Sequence, residues 1–293
     1  MSRKFNKILI LLFIISFFWV CSRIRLKMKL TNKTDTPLTV VSAYFDISRT
    51  ARPKEQYFKW IPETAKINAP FVFFTQARFK NIIKDLFPKN KELKIICIEL
   101  ENLYFYQDID LIKKIHASDY YKRVIQAPDR IECYNPLYSI VQFSKFEFLL
   151  KSARANYFNS KKFLWIDAGI NRYWDKWGHG DRELTAGILP EDKFYITLEK
   201  TRYNNSCFMQ KNYSILFQPR SFVLGGLFGG SLKSIEIMVE KIKNKWKWML
   251  NEQKIVTNEQ FALLIEFFEN PQLFHYKEIQ NAHHFSEVLI HLK

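Results

Sequence analysis

Short apolar runs alternate along the chain with stretches whose apolar positions recur every three or four residues. TVVSAYF (Thr39–Phe45), PFVFFT (Pro70–Thr75), LKIICIEL (Leu93–Leu100), FLWID (Phe163–Asp167) and FYITL (Phe194–Leu198) are short and rich in β-branched and aromatic residues. They predict strands. Their apolarity is continuous rather than alternating, which predicts strands covered on both faces, as in an α/β sheet. Between them, Phe143, Phe146, Leu150 and Ala153 share one face of a helix predicted over Ser139–Arg154. Ile235, Met238, Val239, Ile242, Trp246 and Met249 do the same over Ser231–Met249, with Ser231 as the N-cap. Both stripes are expected in the core. No internal repeat is present, so residues 38–293 read as one α/β domain.

One segment breaks the alternation. In Ile8–Cys21 only Ser16 is polar, and Lys7 and Arg23 bound the run. A membrane crossing takes about 20 apolar residues. The run approaches that length when Ser22, Ile24 and Leu26 extend it beside snorkelling Lys and Arg side chains. Residues 1–29 are therefore expected to form a signal anchor, with 30–37 as a short polar stem. A cleaved signal peptide competes, although no small-x-small site follows the run, and an interfacial helix is a third reading. The anchor makes the membrane a partner through residues 8–21. It puts the body on the lumenal or extracytoplasmic side, in the Golgi or ER of a eukaryotic cell. Sequons at Asn32, Asn204 and Asn212 fit that route.

Charge first suggests a different partner. The formal net charge is +16, the kind of excess found in nucleic-acid-binding chains. The first 30 residues, however, hold seven basic residues and no acid. The remaining excess is scattered, without a basic block or an RNA-binding aromatic motif. Nucleic acid is excluded as the expected partner. Composition is globular, with 47% hydrophobic and 25% charged residues, which excludes disorder, collagen-like repeats and disulfide scaffolds. Cys21, Cys97, Cys133 and Cys207 have no metal-ligand spacing. Cys97 is expected as a buried small hydrophobe, and a Cys133–Cys207 pair stays open.

Candidate chemistry sits where strands end, because open α/β sheets bind ligands beyond the carboxyl ends of their strands. FLWIDAGINR runs from an apolar strand into Asp167 and then Gly169. A carboxylate there can hold a divalent metal or a hydroxyl, and the bland alternative is a turn cap. FVLGGLFGGS (Phe222–Ser231) gives a strand, two glycine pairs and a helix start. It is neither a P-loop nor a dinucleotide fingerprint. The pairs would let a sugar ring lie against the backbone. TNEQF (Thr257–Phe261) opens a helix with Glu259 near its positive end, as a base or as a helix-capping residue. The aromatic stretch Arg172–His179 suits stacking on a sugar, with Trp174 and Trp177 as candidates or as core.

The segments TVVSAYFDISR, Tyr57 with Trp60, PFVFFT, the helix with Ser144-Lys145 and FLWIDAGINR together resemble the HtrL/YibB (WlaTC/HtrL) family, over roughly Leu38 to Phe285. That family is regarded as glycosyltransferase-like. The resemblance implies a GT-A-type nucleotide-diphospho-sugar transferase fold, with a central mixed sheet flanked by helices. It implies a sugar moved from a nucleotide-sugar donor to a glycan or glycolipid acceptor. The alternative is a non-catalytic carbohydrate- or nucleotide-binding protein that keeps the fold. By the same resemblance the first strand, with Ser42 and Tyr44, would hold the nucleoside. Asp167 would be the first acid of Asp-x-Asp for Mn²⁺ or Mg²⁺, Gly225 and Gly226 would border the sugar, and Glu259 would be the catalytic or acceptor-binding acid. One position departs: Gly169 stands where the second acid belongs. His283, His284, Asp175 or Asp181 would then complete a metal shell, or Lys145 or Arg172 would stabilise the leaving diphosphate.

Overall fold

The computed structural model describes residues 38–49, 51–173, 189–199 and 222–280. The expected anchor, Cys207, the three sequons and the tryptophans at 174 and 177 lie outside them. Among the described residues no helix is long and apolar enough to cross a membrane.

One seven-stranded sheet forms the centre, in the order β3-β2-β1-β4-β6-β5-β7. Its strands are β1 Leu38–Tyr44, β2 Phe71–Thr75, β3 Leu93–Cys97, β4 Lys162–Ile166, β5 Phe194–Glu199, β6 Leu227–Gly230 and β7 Phe274–Ile279. The helices are α1 Lys54–Thr64, α2 Lys80–Leu86, α3 Ile109–Ala117, α4 Asp119–Val124, α5 Ile131–Tyr134, α6 Pro136–Ala155, α7 Leu232–Trp248 and α8 Glu259–Glu269. β1, β2, β3 and β4 run parallel, whereas β6 is antiparallel to both β4 and β5. The sheet is mixed, as expected.

The period-two geometry of strands explains the continuous apolar runs. Val41 and Phe45, Val72 and Phe74, and Phe163 and Trp165 face one core. Val40 and Tyr44, Phe71 and Phe73, and Leu164 and Ile166 face the other. The first core is closed by α6, α7 and α8, and the second includes Ile61 of α1 and Ile83 of α2. Both predicted helical stripes are buried, and the Ser231 hydroxyl does cap α7, accepting from the Ser234 amide.

Three features differ from the sequence reading or go beyond it. The strand within LKIICIEL ends at Cys97, and Cys97 is exposed on β3, the edge strand of the described sheet. The alternating FHYKEI of β7, at the other edge, was not among the predicted strands. Of the two glycine pairs, Gly229 and Gly230 are paired strand residues of β6. A β-carbon at Gly229 would lie 2.1 Å from the Phe163 carbonyl oxygen, so this glycine serves strand packing rather than a ligand.

Chain direction fixes where a site can form. From β1 the chain steps outward to β2 and β3, then returns through α3–α6 to β4 on the opposite side of β1. The order reverses between β1 and β4. Beyond the carboxyl ends of those two strands the flanking connections diverge and leave a crevice.

Candidate functional site

A cleft of about 200 Å³ occupies that crevice. Its walls come from the segment after β1 (Asp46, Arg49, Arg52), from Tyr57 of α1, from Tyr138, Gln142 and Lys145 of α6, and from Asp167, Gly169 and Arg172 after β4. Among the described lining residues, five cations (Arg49, Arg52, Arg130, Lys145, Arg172) face two carboxylates, Asp46 and Asp167. Basic side chains outnumber acidic ones along the described lining.

Asp167 is the carboxylate at the strand end, its side chain 26% exposed. Its amide donates to the Gly226 carbonyl at 3.0 Å, which fixes the turn. Its Oδ1 accepts from the Trp165 indole at 2.8 Å and lies 3.1 Å from the Lys145 Nζ. Both contacts use Oδ1, leaving Oδ2 for a ligand. Burial works to raise its pKa, but Lys145, Arg172 and the indole outweigh that and hold it below the ordinary carboxylate value. Asp167 is ionised wherever the protein is folded near neutrality.

Lys145 reaches this point from the middle of α6, a helix buried on most of its circumference. Asn135 caps its start, Pro136 occupies the first turn, and left-handed Asn156 ends it. The ammonium donates to the Glu259 Oε1 at 2.8 Å and the Gly225 carbonyl at 2.9 Å, besides pairing with Asp167. Three partners match its three donors. Burial alone would lower its pKa, yet the two carboxylates keep it raised and charged. Lys145 therefore organises the floor of the cleft and has no donor left over for a leaving diphosphate.

Glu259 lies behind the cleft, fully buried as the first residue of α8, whose cap is Asn258. Desolvation pushes its pKa up, and the Lys145 charge only partly offsets this. Neighbouring Gln260 lines the cleft, whereas Glu259, expected to meet substrate, does not. Gly225 and Gly226 do not line it either. A β-carbon at Gly225 would fall 2.1 Å from the Glu259 Oε1, so Gly225 makes room for a buried carboxylate. Ser42 is likewise fully buried within the sheet and away from the cleft. Tyr44 does line it, although its ring packs against Tyr57, Phe58 and Phe79 at 5.2–5.5 Å.

The missing second acid has a steric explanation. A β-carbon at Gly169 would lie 2.6 Å from the Trp60 ring and 3.1 Å from the Arg172 Nη1. Arg172 sits over that indole at 5.7 Å and donates to the Gly169 carbonyl at 3.0 Å. An aromatic ring and a guanidinium thus fill the place of a carboxylate. Among the described residues no three His, Cys, Asp or Glu side chains gather where they could hold a metal. With the Asp167 Oδ1 already committed to an ammonium, this donor set does not fit Mn²⁺ or Mg²⁺, which take several oxygen ligands. Asp175, Asp181, His283 and His284 lie outside the described residues.

Sequence reasoning missed Arg49, Arg52, Arg130, Tyr138, Gln142 and Gln260. A signal existed for part of this set. Tyr138, Gln142 and Lys145 are spaced four and three apart and so share one helical face. Arg130, in the loop before α5, carried none.

Residues 36–286 match the family described as "Bacterial protein of unknown function (HtrL_YibB)", and the chain belongs to it. No curated protein matches the chain significantly. Among solved structures it is similar to core-mannan synthase A (CmsA/Ktr4) of Aspergillus fumigatus in its Mn/GDP form. Identity there is 10% over 83% of this chain and 73% of the other, with a TM-score of 0.45. It is also similar to the apo glycosyltransferase GlyE of Streptococcus pneumoniae TIGR4, at 13% identity, over 88% of this chain but only 52% of that one, with a TM-score of 0.39. The PaToxG glycosyltransferase gives 12% identity, 87% and 74% coverage and a TM-score of 0.37. Likenesses this distant say nothing of substrate.

Proposed function

We propose that this HtrL_YibB-family chain is a glycosyltransferase that moves a sugar from a nucleotide-sugar donor to a glycan or glycolipid acceptor. The observation that carries the reading is the pairing, in one switch-point cleft, of an ionised strand-end carboxylate with several arginines. Sugar transfer needs both. The bond from the anomeric carbon to the diphosphate breaks and the diphosphate leaves with added negative charge, which fixed cations stabilise. The acceptor hydroxyl gives up its proton as the new glycosidic bond forms. Asp167 Oδ2 is the group suited to orient that hydroxyl or take the proton. Lys145 and Glu259 act behind Asp167 as positioning residues. Attachment through residues 8–21 belongs to the same proposal, since it would hold the body beside a membrane-borne acceptor.

Hydrolysis of a panel of nucleotide sugars, with and without candidate acceptors, tests the proposal. Turnover in the native protein and its loss in Asp167→Asn are expected. Failure of every nucleotide sugar to bind or turn over would sink it. A non-catalytic nucleotide-binding module is the competing reading, favoured by the filling of the second acid's place by Trp60. It expects donor binding without hydrolysis, so one assay separates the two.

A further inference from the structure

We infer that the arginines of this cleft hold the diphosphate of the donor directly, in the role a divalent cation would otherwise play, and that three of them, Arg49, Arg52 and Arg130, sit at the waist of a two-armed site. The inference rests on the nucleotide-sugar reading above and specifies how that ligand is recognised.

Its first support is the shape of the cavity system. A second cavity, of about 290 Å³, shares Arg49, Arg52, Arg130 and Tyr138 with the first. The three arginines therefore stand where the two cavities join. One arm ends at Asp167 and Gln260; the other ends at Ile131 and Tyr134, with Asp129 and Glu132 also on its wall and Glu132 paired to the Arg130 Nε at 3.0 Å. A nucleotide sugar has matching charge architecture: a doubly charged link between two largely uncharged ends. With the link at the junction, the sugar takes the Asp167 arm and the nucleoside takes the other. Tyr134 is 55% exposed there and offers a ring for the base to stack on.

The second support is how the cations are held. The Arg49 Nη1 donates to the Tyr57 hydroxyl at 3.3 Å, and its guanidinium lies over the Tyr138 ring at 5.1 Å. Its Nε is buried and has no hydrogen-bond partner among the described residues, an orphan that an anion entering the cleft can satisfy. Arg172 is held in the same way by the Trp60 face and the Gly169 carbonyl. Guanidinium groups fixed on aromatic faces lose little freedom when a phosphate arrives, and their planar forks match two phosphate oxygens.

The third support is local charge. At the position of the second metal-binding acid the chain places the Arg172 Nη1, 3.1 Å from where a β-carbon would be. The sign at that point is reversed. A site that repels a divalent cation and attracts a diphosphate has one consistent use for its arginines.

The test is calorimetric titration of the full chain with inorganic pyrophosphate and with nucleoside diphosphates, in EDTA and in Mn²⁺. Pyrophosphate should bind equally well in both. Arg49→Ala and Arg52→Ala should each weaken it by about tenfold or more, the scale of a lost charged hydrogen bond. Arg52→Ala keeps the test decisive if Arg49→Ala fails to fold. Lys233→Ala, on a surface lysine outside the cleft, should change nothing. Tyr134→Ala should weaken nucleoside diphosphates and spare pyrophosphate. Binding that requires Mn²⁺, absence of binding in both buffers, or arginine variants that bind normally would overturn the inference. The two proposals fail separately. Metal-free pyrophosphate binding with no turnover of any nucleotide sugar removes sugar transfer and keeps the anion site. Turnover that appears only with Mn²⁺ does the reverse.

Discussion

Gly169 lies so close beneath Trp60 that a β-carbon there would be 2.6 Å from the indole Cε3. The glycine is required by the tryptophan, not by the backbone turn. Restoring an acid with Gly169→Asp should therefore cost stability, by about 1–3 kcal/mol as for other overpacked sites. It should not create metal affinity. Trp60→Ala should relieve the steric part of the penalty. Thermal melts of the two single variants and the double variant, with and without Mn²⁺, check this; a stable Gly169→Asp that binds Mn²⁺ contradicts it.

Lys145 neutralises two carboxylates at once, so its removal strands both. Lys145→Met should destabilise by about 3–5 kcal/mol, the usual consequence of breaking a buried ion pair from one side. Adding Glu259→Gln should recover part of the loss, because one stranded charge is gone. Denaturant unfolding of the four members of the cycle gives the coupling. Additive losses would show that Glu259 and Lys145 are energetically independent.

Asp167 and Glu259 should shape the pH dependence of stability in opposite senses. The Asp167 pKa is lowered in the fold, so its contribution is present above the ordinary Asp range and is lost as pH falls through the folded value. Glu259 is raised, so the folded state binds a proton more tightly there, and stability falls as pH rises from the ordinary Glu value toward the folded one. Asp167→Asn should flatten the acid limb of a stability–pH profile, and Glu259→Gln the limb above it. Because the side-chain amide oxygen introduced by Asp167→Asn can still accept from Trp165 and Lys145, the variant should lose only about 1–2 kcal/mol at neutral pH. Its loss of turnover should be far larger. A variant that unfolds readily while its folded fraction stays active would make Asp167 structural.

Gly225 should resist substitution because of the side chain it faces. Gly225→Ala would put a methyl 2.1 Å from the Glu259 Oε1 and should push Glu259 off Lys145. The expected cost is about 1–3 kcal/mol, largely absent in a Glu259→Ala background. Melting temperatures of the single and double variants decide it. Equal damage in both backgrounds would mean that Glu259 is not the obstacle.

The apolar run Ile8–Cys21 should remain in the mature protein as an uncleaved anchor. Amino-terminal sequencing after native expression measures this directly, and a start between residues 21 and 35 would show a cleaved signal instead.

The sheet was legible in the sequence because its central strands are buried on both faces, and a run such as FLWID has few other uses. β7 was not, because FHYKEI at an edge alternates and mixes His, Lys and Glu into a strand. Asp167 could be found from its place at a strand end, a local signal. Glu259 was picked out as well, but its depth was not foreseeable, since the space its carboxylate fills is left by Gly225 on a remote segment. The second glycine pair misled for a related reason. Sequence shows that a side chain is missing and not what takes its space, which for Gly229 is the backbone of β4. The arginines stayed hidden because a surface cation and a cleft cation look alike until α6 and the loop after β1 are brought together.

Asp46, Arg49, Arg52, Tyr57 and Trp60 all arise from one short stretch, the connection after β1 together with the first two turns of α1. That stretch supplies cleft cations and the aromatic props that steady them, while Asp167 and Lys145 are rooted in the sheet and the central helix. Ligand preference and structural integrity are thereby written in separate parts of the chain. Exchanging this one connection between relatives could retune which anion is accepted without disturbing the scaffold, which gives the fold a short route to new specificities.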